Sequence, residues 1–210
     1  MILSHKNKFI YIHVYKVAGT SIRSVLQEYS DFSSTDFPLV ENIKFFLGKR
    51  IKFLSKWAID HINAREIKLL LPDEVYNNYF KFAFVRNPWD WQVSLYHYML
   101  QYKDHPQHNL ICKMKTFDEY IEWRINNDME LQKDFLYDEN GNILVDFIGK
   151  FENLQEDFNF ICKKINVTQS VLPLANPSKH LHYKDYYNKH TRDLIYNAFQ
   201  KDIETFKYNF

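Results

Sequence analysis

Residues 10–22 read IYIHVYKVAGTSI, and the change of pattern inside this stretch decides the fold prediction. Residues that favour β-strands run up to Lys16, after which small and hydroxylated residues lead into a helical pattern. A strand that feeds a helix N-terminus in this way presents unpaired backbone N–H groups and the positive end of the helix dipole. Such a terminus suits an anionic phosphate or sulfate. Lys16 adds a cation, and Thr20 and Ser21 add hydroxyl donors.

The position of the lysine separates this loop from the phosphate loop of the common nucleoside triphosphatases. In their Gly-x-x-x-x-Gly-Lys-Ser/Thr pattern the lysine follows the second glycine, whereas Lys16 precedes the single glycine, Gly19. The pattern therefore predicts a shorter loop without a Walker-type Mg²⁺ site. Taken alone, the string favours an exposed lysine beside an ordinary helix cap.

A second strand-to-helix corner follows further along the chain. Residues 80–85 form a β-rich run, Arg86 stands at its end, and the next two residues, an asparagine and a proline, suit the start of a helix. In a doubly wound sheet, strand ends that carry ligand groups open toward the same edge. We therefore expect Arg86, with Ser94 on the following helix, to hold a second anionic group near the one at Lys16.

Hydrophobic periodicity predicts strands that are separated by helices. The predicted strands are at about 8–15, 80–85 and 145–151, and the predicted helices are at about 20–29, 64–71, 72–79, 88–102, 116–126, 153–165 and 191–206. This alternation indicates an α/β fold with a mainly parallel central sheet flanked by helices. At 210 residues, the chain is predicted to form a single domain over 1–210.

Composition bears on partners and location. The formal net charge of +1 supplies no long-range field that would attract nucleic acid or an anionic membrane. The sequence has no apolar run of about 18 residues and no signal-peptide pattern, so no transmembrane segment is predicted. Of the two cysteines, Cys162 falls on an apolar helical stripe, which favours a buried, reduced thiol and a cytoplasmic location. Nothing in the sequence indicates the oligomeric state.

The two corners together resemble the sulfotransferases. The loop at 15–21 looks like their 5′-phosphosulfate loop, and Arg86 followed by Ser94 resembles their 3′-phosphate element, an arginine at a strand end with a serine on the next helix. Residues 82–96 are similar to the carbohydrate branch of the family, which includes heparan and chondroitin sulfotransferases. Further blocks that match this branch follow in order at 148–158, 172–178 and 202–210.

The resemblance implies a sulfotransferase that moves a sulfuryl group from 3′-phosphoadenosine 5′-phosphosulfate to an acceptor hydroxyl, by direct in-line transfer and without a metal. The implied acceptor is a small molecule or glycan, and the resemblance favours a carbohydrate. Its contacts are expected on the variable segments 31–60 and 103–115. By the same resemblance, Lys16 is the electrostatic catalyst at the bridging oxygen, and Arg86 and Ser94 hold the 3′-phosphate. The cradle for the other end of the donor is assigned to Lys16, Ala18, Gly19, Thr20 and Ser21.

A basic cluster near the C-terminus is a further candidate for donor binding. It consists of Lys179, His180, His182 and Lys184. In related enzymes a C-terminal loop closes over the nucleotide, which implies that Lys184 contacts the donor. The alternative interpretation of the cluster is a solvated loop.

The reaction also needs a general base, and histidine suits this role near neutral pH. His61 is the candidate, because it lies between the two phosphate elements, where the carbohydrate branch tends to place its catalytic histidine. The alternative is a helix-cap histidine ahead of Ala64. His13, inside a predicted strand, is expected to be a core residue.

Three positions depart from the family pattern. Tyr15 replaces the usual proline, Val17 replaces a threonine and so removes one hydroxyl donor, and Trp91 replaces an arginine. The first two departures motivate one alternative function, a non-catalytic nucleotide-binding protein. The other alternative is a nucleotide kinase-like phosphotransferase with a degenerate loop, against which the absence of Gly-Lys-Ser/Thr argues.

Overall fold

The computed structural model describes residues 1–33, 61–168, 171–173 and 181–210. Most of the predicted acceptor segment 31–60, and Lys179 and His180 of the basic cluster, lie outside the described residues. The chain forms two compact units: residues 1–85 with 134–175, and residues 86–133 with 176–210. A single domain over 1–210 stays a prediction.

The first unit is built on a sheet that has five strands among the described residues. They are β1 (Ile2–Ser4), β2 (Phe9–Tyr11), β3 (Phe32–Ser33), β4 (Phe80–Val85) and β5 (Phe147–Lys150), in the order β3-β1-β2-β4-β5. The β2–β4 and β4–β5 pairs are parallel, whereas β1 pairs antiparallel with both β2 and β3. The predicted α/β class with a central sheet is therefore confirmed, although the sheet is mixed rather than mainly parallel.

The antiparallel part arises at the N-terminus, where the sequence predicts one strand at about 8–15. The chain instead forms a hairpin in which Leu3 of β1 faces Ile10 of β2. Lys8 has a positive φ of 51° and lies between the two strands. A strand of three residues, such as β1, is too short to show the alternation by which strands are predicted from sequence.

The helices follow the predicted pattern closely, and each unit contains several of them. They are α1 (Gly19–Leu26), α2 (Ala64–Leu70), α3 (Asp73–Asn78), α4 (Pro88–Gln101), α5 (His108–Ile111), α6 (Phe117–Asn127), α7 (Leu154–Lys164), α8 (Lys189–Ala198) and α9 (Gln200–Phe206). The main difference is that the predicted helix 191–206 is interrupted at Phe199, whose φ of −102° and ψ of 21° end α8. The side chain of Phe199 is fully buried, so the residue at which the helix is interrupted is part of the core of the second unit.

The core of the first unit is centred on β2 and β4, whose side chains are almost all buried. Near-continuous apolar runs of this kind are typical of strands covered on both faces. Gly149 of β5 faces Phe84, and an added Cβ there would lie 2.5 Å from a ring carbon of Phe84. On α7, which packs against β5, Cys162 is a buried free thiol, as predicted.

The helices of the second unit begin with clear local signals. At the start of α4, Asn87 Oδ1 accepts a hydrogen bond from the Trp89 N–H at 3.1 Å, and Pro88 follows the cap. At the start of α6, Thr116 Oγ1 accepts from the Glu119 N–H at 3.2 Å. The first of these starts agrees with the asparagine and proline that the sequence places at the beginning of this helix. Within the described ranges, no helix combines the length and apolar character needed to cross a membrane.

Buried phenols should make the first unit sensitive to high pH. Burial, reinforced by the Asp146 carboxylate, raises the pKa of Tyr76 from 10.0 to about 12. Burial also raises the pKa of Tyr11 above its ordinary range. These phenols resist ionisation in the folded state and ionise more readily in the unfolded chain. We therefore expect the contribution of these phenols to the free energy of unfolding to be constant below about pH 10 and to fall as the pH rises toward 12.

Urea unfolding followed by far-ultraviolet circular dichroism at a series of pH values measures this effect. The Tyr76→Phe variant is the control, because it lacks one of the titrating phenols and should lose stability less steeply with pH. An unfolding free energy that stays level through this range would contradict the prediction.

Candidate functional site

The backbone between β2 and α1 alternates in handedness. Lys16 and Ala18 have positive φ values of 62° and 65°, whereas Val17 and Gly19 do not have positive φ. Alternating handedness turns successive N–H groups toward one side, which is how backbone loops form concave sites for anions. A non-glycine residue in the left-handed region costs about 1 kcal/mol. Two such residues in four positions therefore indicate a loop whose shape is imposed by its surroundings.

The N-terminus of α1 lacks the cap of an ordinary helix. Ala18 is the N-cap residue, it makes no side-chain cap hydrogen bond, and the first turn carries no acidic side chain. The Ala18 carbonyl accepts the first helical hydrogen bond, from the Ile22 N–H at 3.1 Å. The positive end of the helix dipole is therefore not neutralised by a carboxylate of its own first turn. This arrangement argues against the alternative of an ordinary helix cap.

Two of the departures from the family pattern have structural explanations. The side chain of Val17 is fully buried, so this position contributes to packing beneath the loop. The ring of Tyr15 makes edge contacts with His61 and Phe135, at centroid distances of 5.7 Å and 6.0 Å. Tyr15 therefore connects the loop to the predicted general base.

The position of the His13 side chain favours a glycine at position 19. An added Cβ at Gly19 would lie 1.8 Å from Nε2 of His13, well inside contact distance. The imidazole of His13 thus lies directly against the backbone at the start of α1. His13 is half-buried and follows β2, which differs from the core residue within a strand that the sequence suggests.

The hydrogen bonds of the two histidines favour particular tautomers. Arg23 Nη2 donates to His13 Nδ1 at 3.0 Å, and because a guanidinium only donates, the proton of neutral His13 is on Nε2. His61 Nδ1 lies 3.4 Å from the His13 carbonyl, and because a carbonyl only accepts, this contact favours the proton on Nδ1. The ring centroids are 4.9 Å apart. The structure thus brings the predicted base, His61, to the predicted phosphate loop.

The alternative role for His61, a helix cap, is not what the structure shows. Asn63 caps α2, with its side chain accepting from the Glu66 N–H at 2.9 Å and the Glu66 carboxylate accepting from the Asn63 N–H at 3.1 Å. His61 precedes this capping box and contacts the loop instead.

The second corner lies in the second unit and is centred on Arg86. Its side chain is largely buried, and its Nε donates to Asp90 Oδ2 at 2.7 Å. Both backbone groups of Arg86 are bound by one side chain: its N–H donates to Gln132 Oε1 at 2.8 Å, and its carbonyl accepts from Gln132 Nε2 at 2.7 Å. Ser94, also predicted for this site, lies on α4 and is 3% exposed.

The remaining site residue predicted in the second unit is Lys184. It is exposed, and its ammonium lies over the rings of Phe210 and Tyr183, at 5.4 Å and 5.9 Å from their centroids. A role in donor binding stays a prediction. The same holds for the convergence of the two corners, because Lys16 and His61 belong to the first unit, and Arg86, Ser94 and Lys184 to the second.

Residues 1–209 match the model of a family that is described as the sulfotransferase family. The chain belongs to the sulfotransferase family. This match confirms the resemblance that the two corners carry. It covers nearly the whole chain and so includes both units and both corners.

Two relatives of this sulfotransferase-family chain differ in how much they share with it. Human carbohydrate sulfotransferase 9 is 21% identical over 218 aligned positions, which cover 92% of this chain and 44% of the human protein. An uncharacterized protein of Archaeoglobus fulgidus is 29% identical over 106 positions, which cover 47% of this chain and 77% of that protein. The chain thus spans less than half the length of its human relative, whose name agrees with the predicted carbohydrate branch.

Sequence reasoning missed the residues that hold the two corners of this sulfotransferase-family chain in place. Arg23 could have been found from its spacing, because it lies one turn after Gly19 on α1 and so on the same helix face. No local sequence pattern marks Gln132, since it lies outside every segment that resembles the family. Asp202, which binds the Gln132 backbone at 2.8 Å, opens the last block that resembles the family.

The contact between His13 and Gly19 can be tested with a pair of substitutions. Gly19→Ala should destabilise the protein by about 1–3 kcal/mol, because the new methyl group must displace a ring that Arg23 holds. Adding His13→Ala to Gly19→Ala should recover part of that loss, because the space is then open. Chemical unfolding of the two single variants and the double variant measures the coupling. Strictly additive losses would contradict the contact.

Proposed function

We propose that this chain transfers a sulfuryl group from 3′-phosphoadenosine 5′-phosphosulfate to a hydroxyl group of an acceptor. The observation that carries the proposal is the loop at 16–19, with its alternating backbone and its lysine, directly ahead of the uncapped α1. Family membership supports this chemistry. The name of the human relative supports a carbohydrate as the acceptor. A small molecule or glycan that presents a free hydroxyl fits the same chemistry.

The loop would bind the phosphosulfate end of the donor. Its backbone N–H groups, the dipole of α1, and the side chains of Thr20 and Ser21 favour the anionic group. The Lys16 ammonium would neutralise the charge that develops on the bridging oxygen as its bond to sulfur breaks. The electron pair of that bond leaves with the 5′-phosphate, while the acceptor oxygen forms the new bond to sulfur from the opposite side.

His61 would accept the proton of the attacking hydroxyl. Its contact with the His13 carbonyl favours the hydrogen on Nδ1, and Nε2 would then be the basic atom. A neutral imidazole is a suitable base near neutral pH. Tyr15 restricts the ring from its edge, which favours one orientation of Nε2.

Arg86 and Ser94 would bind the 3′-phosphate at the other end of the donor. A guanidinium binds phosphate through its planar set of donors, and a buried arginine with fixed neighbours loses little freedom on binding. Lys184 is proposed as a further contact from the segment ahead of α8. The two free cysteines support a reducing compartment, so we propose a cytoplasmic location.

The proposal is tested by incubating the protein with the sulfate donor and a mixture of glycans and small metabolites, and by searching for sulfated products by mass spectrometry. Lys16→Ala should lower the rate of product formation by about a hundred- to a thousandfold, the scale seen when one preorganised donor is removed. Lys8→Ala is the matched control. Lys8 also has a positive φ, of 51°, but it is exposed between β1 and β2, and its removal should leave the rate unchanged.

Two outcomes would contradict this proposal. One is a Lys16→Ala rate equal to that of the Lys8→Ala control. The other is a larger rise in melting temperature with ATP and Mg²⁺ than with adenosine 3′,5′-bisphosphate, which would favour the phosphotransferase alternative. Donor binding without turnover across a broad panel of acceptors would instead favour the non-catalytic alternative.

The role of His61 has its own test in the dependence of kcat on pH. His61→Ala should lower kcat by about a hundredfold and remove the decline of kcat at acidic pH, because the base that protonates there is gone. His5→Ala is the control, since His5 is another half-buried histidine of the same unit that bonds to Tyr79 rather than to the loop. An acidic decline that persists in His61→Ala would assign the base to another residue.

A further inference from the structure

The side chain of Gln132 replaces a strand partner for Arg86. The regular pairing of β4 ends at Val85, one residue before Arg86. The amide of Gln132 then accepts from the Arg86 N–H at 2.8 Å and donates to the Arg86 carbonyl at 2.7 Å. One side chain thus satisfies both backbone groups of the residue, as a neighbouring strand would. Because amide geometry is planar, this pair of bonds fixes the direction in which the Arg86 side chain leaves the backbone.

The backbone of Gln132 is in turn held by Asp202, and this places the Gln132 side chain. The two carboxylate oxygens of Asp202 accept from the Gln132 N–H at 2.8 Å and from the Lys133 N–H at 2.9 Å. Gln132 and Asp202 are both fully buried. Hydrogen bonds to a buried carboxylate are stronger than those between neutral groups, and breaking them leaves a costly unpaired group. The position of Gln132 is therefore sharply defined.

Arg86 is restrained a second time through its side chain. Asp90, on the first turn of α4, accepts from Arg86 Nε at 2.7 Å, and Arg86 as a whole is 6% exposed. With its backbone held by Gln132 and its Nε held by Asp90, the guanidinium has few alternative orientations. A group that must recognise a phosphate by the direction of its N–H bonds benefits from such fixation.

We propose that Gln132, itself held by Asp202, is a positioning residue that sets the preference of this protein for a nucleotide with a 3′-phosphate. This inference rests on the proposed function, in which Arg86 binds that phosphate. Gln132 does not touch the ligand in this scheme. It keeps Arg86 in the one orientation in which the guanidinium meets the 3′-phosphate, and so it acts on specificity through Arg86.

The test compares two probes that differ only in the group of interest, adenosine 3′,5′-bisphosphate and adenosine 5′-phosphate. Isothermal titration calorimetry gives the affinity of the full chain for each. In Gln132→Leu, the ratio of the two affinities should fall on the order of tenfold, the scale on which groups that orient a ligand-binding residue act. Affinity for the monophosphate should hardly change, because it carries no 3′-phosphate. A general structural defect would lower both affinities together.

A second buried glutamine provides the matched control. Gln92 is also fully buried and also lies in the second unit, but its side chain accepts from the Tyr120 hydroxyl at 3.1 Å and does not bond to Arg86. Gln92→Leu removes an equally buried amide and should keep the ratio of affinities of the unmodified protein. A fall of the same size in Gln92→Leu would overturn the inference.

Gln132→Met keeps the experiment decisive if Gln132→Leu does not fold. Methionine has a side chain of similar length without the amide, so it lacks both the carbonyl acceptor for the Arg86 N–H and the donor for the Arg86 carbonyl, and the ratio should again fall. A ratio in folded Gln132 variants equal to that of the unmodified protein overturns this inference alone. An unmodified protein that binds the bisphosphate no better than the monophosphate overturns the assignment of Arg86, and both proposals with it.

Discussion

The approach of the His13 ring to the backbone of Gly19 is the constraint on which the first corner depends. It fixes where the chain leaving β2 meets the start of α1, and a Cβ at position 19 would require the ring to move. Arg23 anchors the ring from α1, and the His13 carbonyl anchors His61. The left-handed residues Lys16 and Ala18 lie between these fixed points. Their strain is therefore sustained by packing on both sides rather than by the loop itself.

Both corners solve the same problem with different side chains. At each corner the chain leaves a strand and enters a helix, and side chains hold that junction in place. In the first unit, His13 and Arg23 brace the junction. In the second, Gln132 takes both backbone groups of Arg86. Groups that are already oriented in this way would need little reorganisation on binding the proposed anion, which is the condition for strong electrostatic stabilisation.

The parts of the fold that could be predicted from sequence are those with strong local signals. The strand at 80–85 and the helix that starts at Pro88 are confirmed, because a continuous apolar run, an N-cap residue and a proline coincide there. The strand β1, which pairs with β2 and β3, has only three residues. It is therefore too short to show the hydrophobic alternation from which strands are predicted. The break at Phe199 is also hidden, since neither glycine nor proline marks it and the residue is fully buried.

The residues of the candidate site also differ in whether a local sequence signal marks them. The placement of Lys16, Gly19 and Arg86 at strand-to-helix corners could be predicted because each stands in a contiguous motif, whereas Gln132 is 46 positions from the residue it binds and 70 from the one that holds it. The departure from the family pattern at Val17 places a fully buried side chain beneath the loop. Since the positive φ values of Lys16 and Ala18 are properties of the backbone, a missing hydroxyl at position 17 removes one donor from the proposed anion site and leaves the shape of the loop backbone in place. We therefore expect the departure at Val17 to affect the rate of transfer more than the choice of ligand.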